Sequence, residues 1–334
     1  MVSCDLAKPL VNEYNGRMRC LVTGAAGFIG SHICEALTAE GHSVRGVDSF
    51  TDLYPRACKE ENLASLQRET RFELKEADLV EADCRNLLRE VDWVFHQAAH
   101  AGVRQSWGEK FRSYTDYNVL ATQRLLEACR QKTPKKFLYA SSSSIYGEAE
   151  ISQTSEDAPP KPLSPYGVSK LAGEHLCYLY MRQFAVPTVA LRYFTVYGPR
   201  QRPDMAFNRF IAALLDNRAL EVYGDGEQTR DFTYVSDVVK ANLSAAVSGQ
   251  TGRVYNIGGG ERASVNQVIQ TLETLAGRPA KVSSLQREAG DVRHTWADVS
   301  RAHQEIGFSP QVGLQEGLKR QFDWQAGRKQ DAHR

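Results

Sequence analysis

Tyr166 and Lys170 stand four residues apart, and about two dozen residues before them runs Ser141-Ser142-Ser143-Ser144. At that spacing a tyrosine and a lysine share one face of a helix, one turn from each other. A phenol near pKa 10 is only about 0.1% ionised at neutral pH, so it is a poor base unless an ammonium stabilises its anion. A serine hydroxyl aimed at the same spot would complete a relay that takes a proton from an alcohol while a hydride leaves its carbon. Read alone, Y-x-x-x-K also fits a solvated helix face. The elements that would have to position these residues decide between the two readings.

Those elements alternate. Residues 19–23 form a short apolar run of buried-strand type, which leads into Gly24-Ala25-Ala26-Gly27-Phe28-Ile29-Gly30, an apolar-periodic helix over 31–40, a strand over 43–47 and then Asp48. Strand, glycine turn, helix, strand, acid is the order of a dinucleotide site. The glycines admit a pyrophosphate, the helix N-terminus offers N–H groups to it, and the acid takes the ribose hydroxyls. Asp48 favours NAD over NADP, because a 2′-phosphate would be repelled. Further strands are expected over 71–75 (before Asp78-Leu79), 91–96, 136–140 (delivering the serine run) and 188–192. Helices are expected over 84–90, over 114–132 with Asn118 near its start, and around Tyr166. Six strands with helical crossovers predict an α/β fold with a doubly wound parallel sheet, whose C-terminal edge binds ligands.

Residues 1–17 read as a leader, 18–198 as the dinucleotide-binding domain, and 199–230 with 258–330 as a smaller, mostly helical substrate domain. Two strands over 231–235 and 255–257 are expected to return to the main sheet. Gly258-Gly259-Gly260 reads as a tight turn before a helix capped by Ser264, because no Lys-Ser/Thr follows it. The net charge of +1 gives no support for a nucleic-acid or membrane-surface partner. The seven cysteines are scattered without a C-x-x-C pair, which points to reduced thiols, no metal and a cytoplasmic location. No apolar run approaches the roughly 20 residues of a membrane span.

With these pieces in order, the chain resembles the extended short-chain dehydrogenase/reductase superfamily, specifically the NAD-dependent nucleotide-sugar epimerases and dehydratases. The resemblance runs from about residue 18 to 325 and rests on Gly24/Gly27/Gly30, Asp48, Asp78-Leu79, His96-Gln97-Ala98-Ala99, the serines before Ile145-Tyr146-Gly147, Tyr166/Lys170 and Arg230-Asp231-Phe232. It implies a Rossmann fold, with Ser142 as catalytic hydroxyl, Tyr166 as base and Lys170 as its partner. It also implies a tightly bound NAD held by Gly24, Gly27, Phe28, Ile29, Asp48, Asp78, Leu79, Gln97, Ala98, Ala99, Asn118, Tyr166, Lys170 and Tyr193. A homodimer is usual in the family.

His100 to Arg104 and Thr195 to Phe207 resemble the UDP-glucuronate 4-epimerases. The 4,6-dehydratases place Asp-Glu just after the catalytic hydroxyl, where this chain has Ser143 and Ser144. The resemblance implies a UDP-sugar bound by Gly102, Val103, Arg104, Ser142, Ser143, Thr195, Arg202, Ala206, Phe207, Phe210, Val222, Tyr223, Gln228, Arg230 and Asp291. A UDP-uronate brings a diphosphate and a carboxylate to one cleft, and arginine forks suit both. Thr195, Arg202, Ser142 and Ser143 are candidates to hold the carboxylate. Arg200 and Arg209 read rather as surface charges. UDP-hexose 4-epimerase, UDP-glucuronate decarboxylase and a non-catalytic NAD-binding sensor remain alternatives, although an intact Ser142, Tyr166 and Lys170 set argues against the sensor.

Overall fold

A computed structural model describes residues 16–148 and 153–331; most of the expected leader lies outside them. Seven strands form one parallel sheet: β1 (Arg19–Thr23), β2 (Ser43–Asp48), β3 (Phe72–Glu76), β4 (Trp93–His96), β5 (Lys136–Ser142), β6 (Thr188–Tyr193) and, after a long excursion, β10 (Val254–Ile257). Their order is β10-β6-β5-β4-β1-β2-β3, so the chain reverses direction between β1 and β4. That crevice is the switch point where open α/β sheets bind ligands. The strands are apolar on both faces because both faces are covered. Val22, Leu138 and Leu191 pack toward one layer, while Leu21, Val94, Phe137 and Ala190 pack toward the other.

Outside the main sheet lie β7 (Thr195–Tyr197), β8 (Leu220–Tyr223), β9 (Thr229–Tyr234), β11 (Arg262–Ser264) and β12 (Val282–Leu285). Of the two strands expected to return to the main sheet, only β10 does so, parallel to β6. β9 instead pairs with β7 and β11 in a separate three-stranded sheet. The main sheet has one open edge at β6; β10 takes it, and β9 finds its ladder elsewhere. β8 and β12 pair with each other.

Several boundaries differ from expectation for local reasons. The first helix starts at Phe28, not 31, because Gly27 is its N-cap and the glycine turn runs straight into it. β5 extends through Ser141 and Ser142 because β6 supplies ladder partners at Arg192 and Tyr193. The expected helix over 114–132 is Phe111–Tyr114, a π-turn over Thr115–Leu120 and then Ala121–Gln131. The expected helix over 84–90 stops at Leu87. The Ser264 cap holds: its side chain accepts from Gln267 N, and Gln267 returns the bond as a capping box. No described helix is long and apolar enough to cross a membrane, and no metal-ligating group of three occurs among the described residues.

Candidate active site

The glycine turn closes by contact rather than by side chains. Gly24 has φ +69°, and a Cβ there would lie 2.8 Å from Ala98 N; a Cβ on Gly30 would lie 2.1 Å from Gly24 O. The turn thus presses β1 against the loop after β4. No side chain caps the helix Phe28–Ala39, and its first turn holds no acid. Its N-terminal N–H groups are therefore left without a side-chain cap, as a helix end that receives a dinucleotide pyrophosphate would be.

At the end of β2, Asp48 is buried. Its Oδ2 accepts from Ala26 N (3.1 Å) and its Oδ1 from Phe50 N (2.8 Å), so the carboxylate braces the glycine turn. Lys59 lies 3.6 Å from Oδ1. That lysine sits in the charged run Lys59-Glu60-Glu61, which reads as solvated helix and gives no hint of burial. A cleft of about 410 Å³ opens beside these residues, lined by Thr51, Asp52, Asp78, His100 and Tyr117 among others. The amide N–H of Val80 fastens Asp78 Oδ1 (2.8 Å), and Leu79 is buried beside it. Ala99 is half-buried in the loop after β4.

Three residues expected to bind the cofactor have side chains engaged by the protein. Gln97 and Tyr193 bond each other (3.1 Å), and both bond Asn242. Asn118, on the π-turn, accepts from His100 N (2.7 Å) and donates to His100 O and Ser169 Oγ (2.9 Å each). It thereby ties the loop after β4 to the helix that carries Tyr166.

That helix, Pro165–Phe184, begins with Ser164 accepting from Gly167 N (3.1 Å) and Pro165 in the first turn. Gly167 lies between Tyr166 and Lys170 for a steric reason: a Cβ would stand 2.5 Å from Ser144 O. The close approach brings the Tyr166 phenol within electrostatic range of Ser142. Ser142 in turn donates to Ser144 Oγ (3.1 Å). Burial pushes the Tyr166 phenol up, while Ser142 and the Arg202 charge pull it back. Lys170 is buried; its Nζ donates to Ala140 O (2.8 Å) and lies 5.2 Å from the Tyr139 ring. Burial lowers its pKa to about 8, against the upward pull of Cys177 and Glu174.

On the substrate side, Arg104 lies 3.7 Å above the Tyr223 ring and bonds Asp291 Oδ2 through Nε (3.1 Å) and Nη2 (2.8 Å). Gln228 donates to Tyr223 O (2.9 Å). Arg230 bonds only backbone carbonyls, of Thr229 and Arg293, among the described residues. The carboxylates of Asp291 and Glu148 act on its charge electrostatically. Arg287, which the sequence reading did not select, donates to Asp291 O (2.7 Å); its position four residues before Asp291 is the signal that could have found it. Gly102 (φ +125°) and Val103 shape the turn before Arg104. Thr195 and Ser143 are half-buried, Val222 is buried, and Ala206 opens the helix Ala206–Leu215.

Three of the residues expected on the substrate side are engaged within the protein. Phe207 and Phe210 are core residues, 3% and 4% exposed. Phe207 packs 4.7 Å from the Phe232 ring, because an apolar-periodic helix turns its Phe stripe inward. Arg202 does not present an empty fork: Nε and Nη2 bond Asp204 Oδ1 (2.9 Å) and Oδ2 (2.7 Å). Even so, it lies within electrostatic reach of Tyr166 and Tyr54. Arg200 and Arg209, expected as surface charges, are instead partly buried and paired with Glu35 and Glu221.

Known proteins are similar over most of this chain. "Uncharacterized UDP-glucose epimerase YtcB" of Bacillus subtilis is 49% identical over 305 residues, covering 90% of this chain and 96% of its own. A UDP-glucuronate 4-epimerase of Thermodesulfobacterium geofontis is 37% identical over 308 residues, covering 91% and 95%. The crystal structure of UDP-glucuronic acid 4-epimerase from Bacillus cereus, in complex with UDP-glucuronic acid and NAD, superposes with a TM-score of 0.91 at 46% identity, covering 93% of this chain and 100% of that one. The NAD dependent epimerase/dehydratase family matches residues 20–258, and the chain belongs to that family.

Proposed function

We propose that this enzyme is an NAD-dependent UDP-glucuronate 4-epimerase, converting UDP-glucuronate to UDP-galacturonate through a 4-keto sugar. The observation that carries the reading is the close approach of the Tyr166 helix to the serine turn at Gly167, with buried Lys170 one turn along and the Arg202 charge within electrostatic reach of Tyr166. NAD, when bound, accepts the C4 hydride and returns it to the opposite face. Tyr166 takes the C4 hydroxyl proton, Ser142 holds that hydroxyl, and Lys170 favours the phenolate. The glycine turn and the uncapped helix take the pyrophosphate, and Asp48 takes the ribose hydroxyls. Arg230 with Arg104 suits the diphosphate, and Thr195 and Ser143 suit the carboxylate. We assign residues 18–198 to the cofactor domain and 199–230 with 258–330 to the substrate domain.

A UDP-hexose substrate has one specific support, the neutralisation of Arg202 by Asp204, which weakens its preference for an anionic sugar. Four described side chains on two neighbouring helical segments, Leu120, Val168, Tyr178 and Leu179, are 41% to 56% exposed. They support a homodimer in which a second copy pairs the same helices. The six described cysteines are all unpaired, in keeping with a cytoplasmic enzyme.

Chromatography of UDP-sugars after incubation with UDP-glucuronate tests the reading. Wild type should give UDP-galacturonate. Tyr166→Phe should lose about 10²–10⁴-fold in kcat while binding both ligands in calorimetry. A UDP-pentose as main product would point to decarboxylation instead.

A further inference from the structure

Arg202 and Asp204 form a two-bond pair on a loop that has little freedom to move. Gln201 is 3% exposed. It donates to Val196 O (3.2 Å) and accepts from Asn208 N (3.0 Å) and Gln321 Nε2 (2.9 Å). Gly198 N donates to Gln321 Oε1 (2.8 Å), and Met205 N to Arg202 O (3.1 Å). Arg200 holds a left-handed backbone (φ +66°) and is locked to Glu35 (2.6 and 2.9 Å). Burial works against ionisation of Asp204, but the Arg202 fork outweighs it and holds the carboxyl below its ordinary range. The pair is therefore a fixed unit with no net charge, within electrostatic reach of Tyr166. Among the described residues, Arg202 Nη1 makes no hydrogen bond.

This bears on an epimerase in a particular way. Between the two hydride transfers the 4-keto sugar must expose its other face, so every grip on one pose has to be released and remade. A partly buried guanidinium with both edges free would bind the C5 carboxylate as a charge-assisted bidentate pair, among the strongest contacts available. Such a grip deepens the bound ground state and slows a step that requires letting go.

We propose that Asp204 is a specificity-determining residue that tempers Arg202: it occupies the Nε/Nη2 edge permanently and leaves Nη1 for the sugar carboxylate, so that the uronate is recognised yet free to turn. The inference rests on the proposed epimerase reading. It predicts that neutralising Asp204 strengthens uronate binding and slows turnover, with little effect on a sugar that lacks the carboxylate.

The test uses NAD-loaded enzyme, wild type and Asp204→Asn, with Arg202→Gln and the double variant as controls. Calorimetry should show D204N binding UDP-glucuronate roughly tenfold more tightly, with UDP-glucose affinity unchanged. Its kcat on UDP-glucuronate should fall by a similar factor, with a larger steady-state NADH absorbance as the keto sugar waits to turn. In the Arg202→Gln background the same Asp204 substitution should do nothing. Weaker uronate binding in D204N would mean that Asp204 merely aims Arg202, and equal changes for both sugars would mean that it only braces the loop. Either result overturns the inference. If wild type does not epimerise UDP-glucuronate, the functional reading fails; if it does and D204N binds no more tightly, the tempering role alone fails.

Discussion

At the scale of single residues, the chemistry turns on Lys170. Its side chain is buried against Ala140 O and the Tyr139 ring, and burial brings its pKa down to about 8 from the ordinary 10.5. If its positive charge favours the Tyr166 phenolate, kcat/KM should decline as pH rises through about 8, where the free enzyme loses that proton. Lys170→Arg stays charged across this range. It should react more slowly, yet lose the descending limb; a limb that persists would assign the titration elsewhere. The linkage has the opposite sign for stability. Between about 8 and 10.5 the unfolded chain binds this proton and the folded one does not, so Lys170 contributes stability that rises with pH across that window. Urea midpoints of wild type and Lys170→Met compared across that range check the sign.

At the scale of elements, the site depends on how closely the helix Pro165–Phe184 approaches the serine turn. Gly167 permits it, because an added Cβ would meet the Ser144 carbonyl at 2.5 Å. Gly167→Ala should force helix and turn apart. A stability loss of about 1–3 kcal/mol is expected from such overpacking, with a drop in kcat larger than the change in KM. Equal effects on folding and turnover, with kcat per folded molecule intact, would show that the approach is only packing.

The same scale shows what the sequence could convey. Strand, glycine turn, strand, acid and Y-x-x-x-K were legible because each is a local pattern with a local cause. The register of β9 was not, since a short strand of mixed polarity fits any open edge and only the competition between β9 and β10 for β6 decides it. The π-turn at Asn118 was hidden for a similar reason: its cause is a side chain reaching to His100 and Ser169, far apart in sequence. Arg202 was legible as a charge near the site, but its pairing to Asp204 depends on a loop conformation fixed by Gln321, more than a hundred residues away.

At the scale of the whole molecule, the proposed dimer seam is open to a direct check. Leu120 and Leu179 are 41% and 48% exposed on neighbouring helical segments. Leu179→Arg should halve the native mass in light scattering while leaving helix content unchanged; an unchanged mass would place any assembly elsewhere. The central claim, however, concerns one hydride that leaves C4 and comes back within a single cleft. UDP-glucuronate deuterated at C4 tests it most directly. The UDP-galacturonate formed should keep the deuterium at C4 when the reaction runs in ordinary water, with no external cofactor consumed. Product in which the label has been exchanged for solvent hydrogen would contradict hydride removal and return at this site.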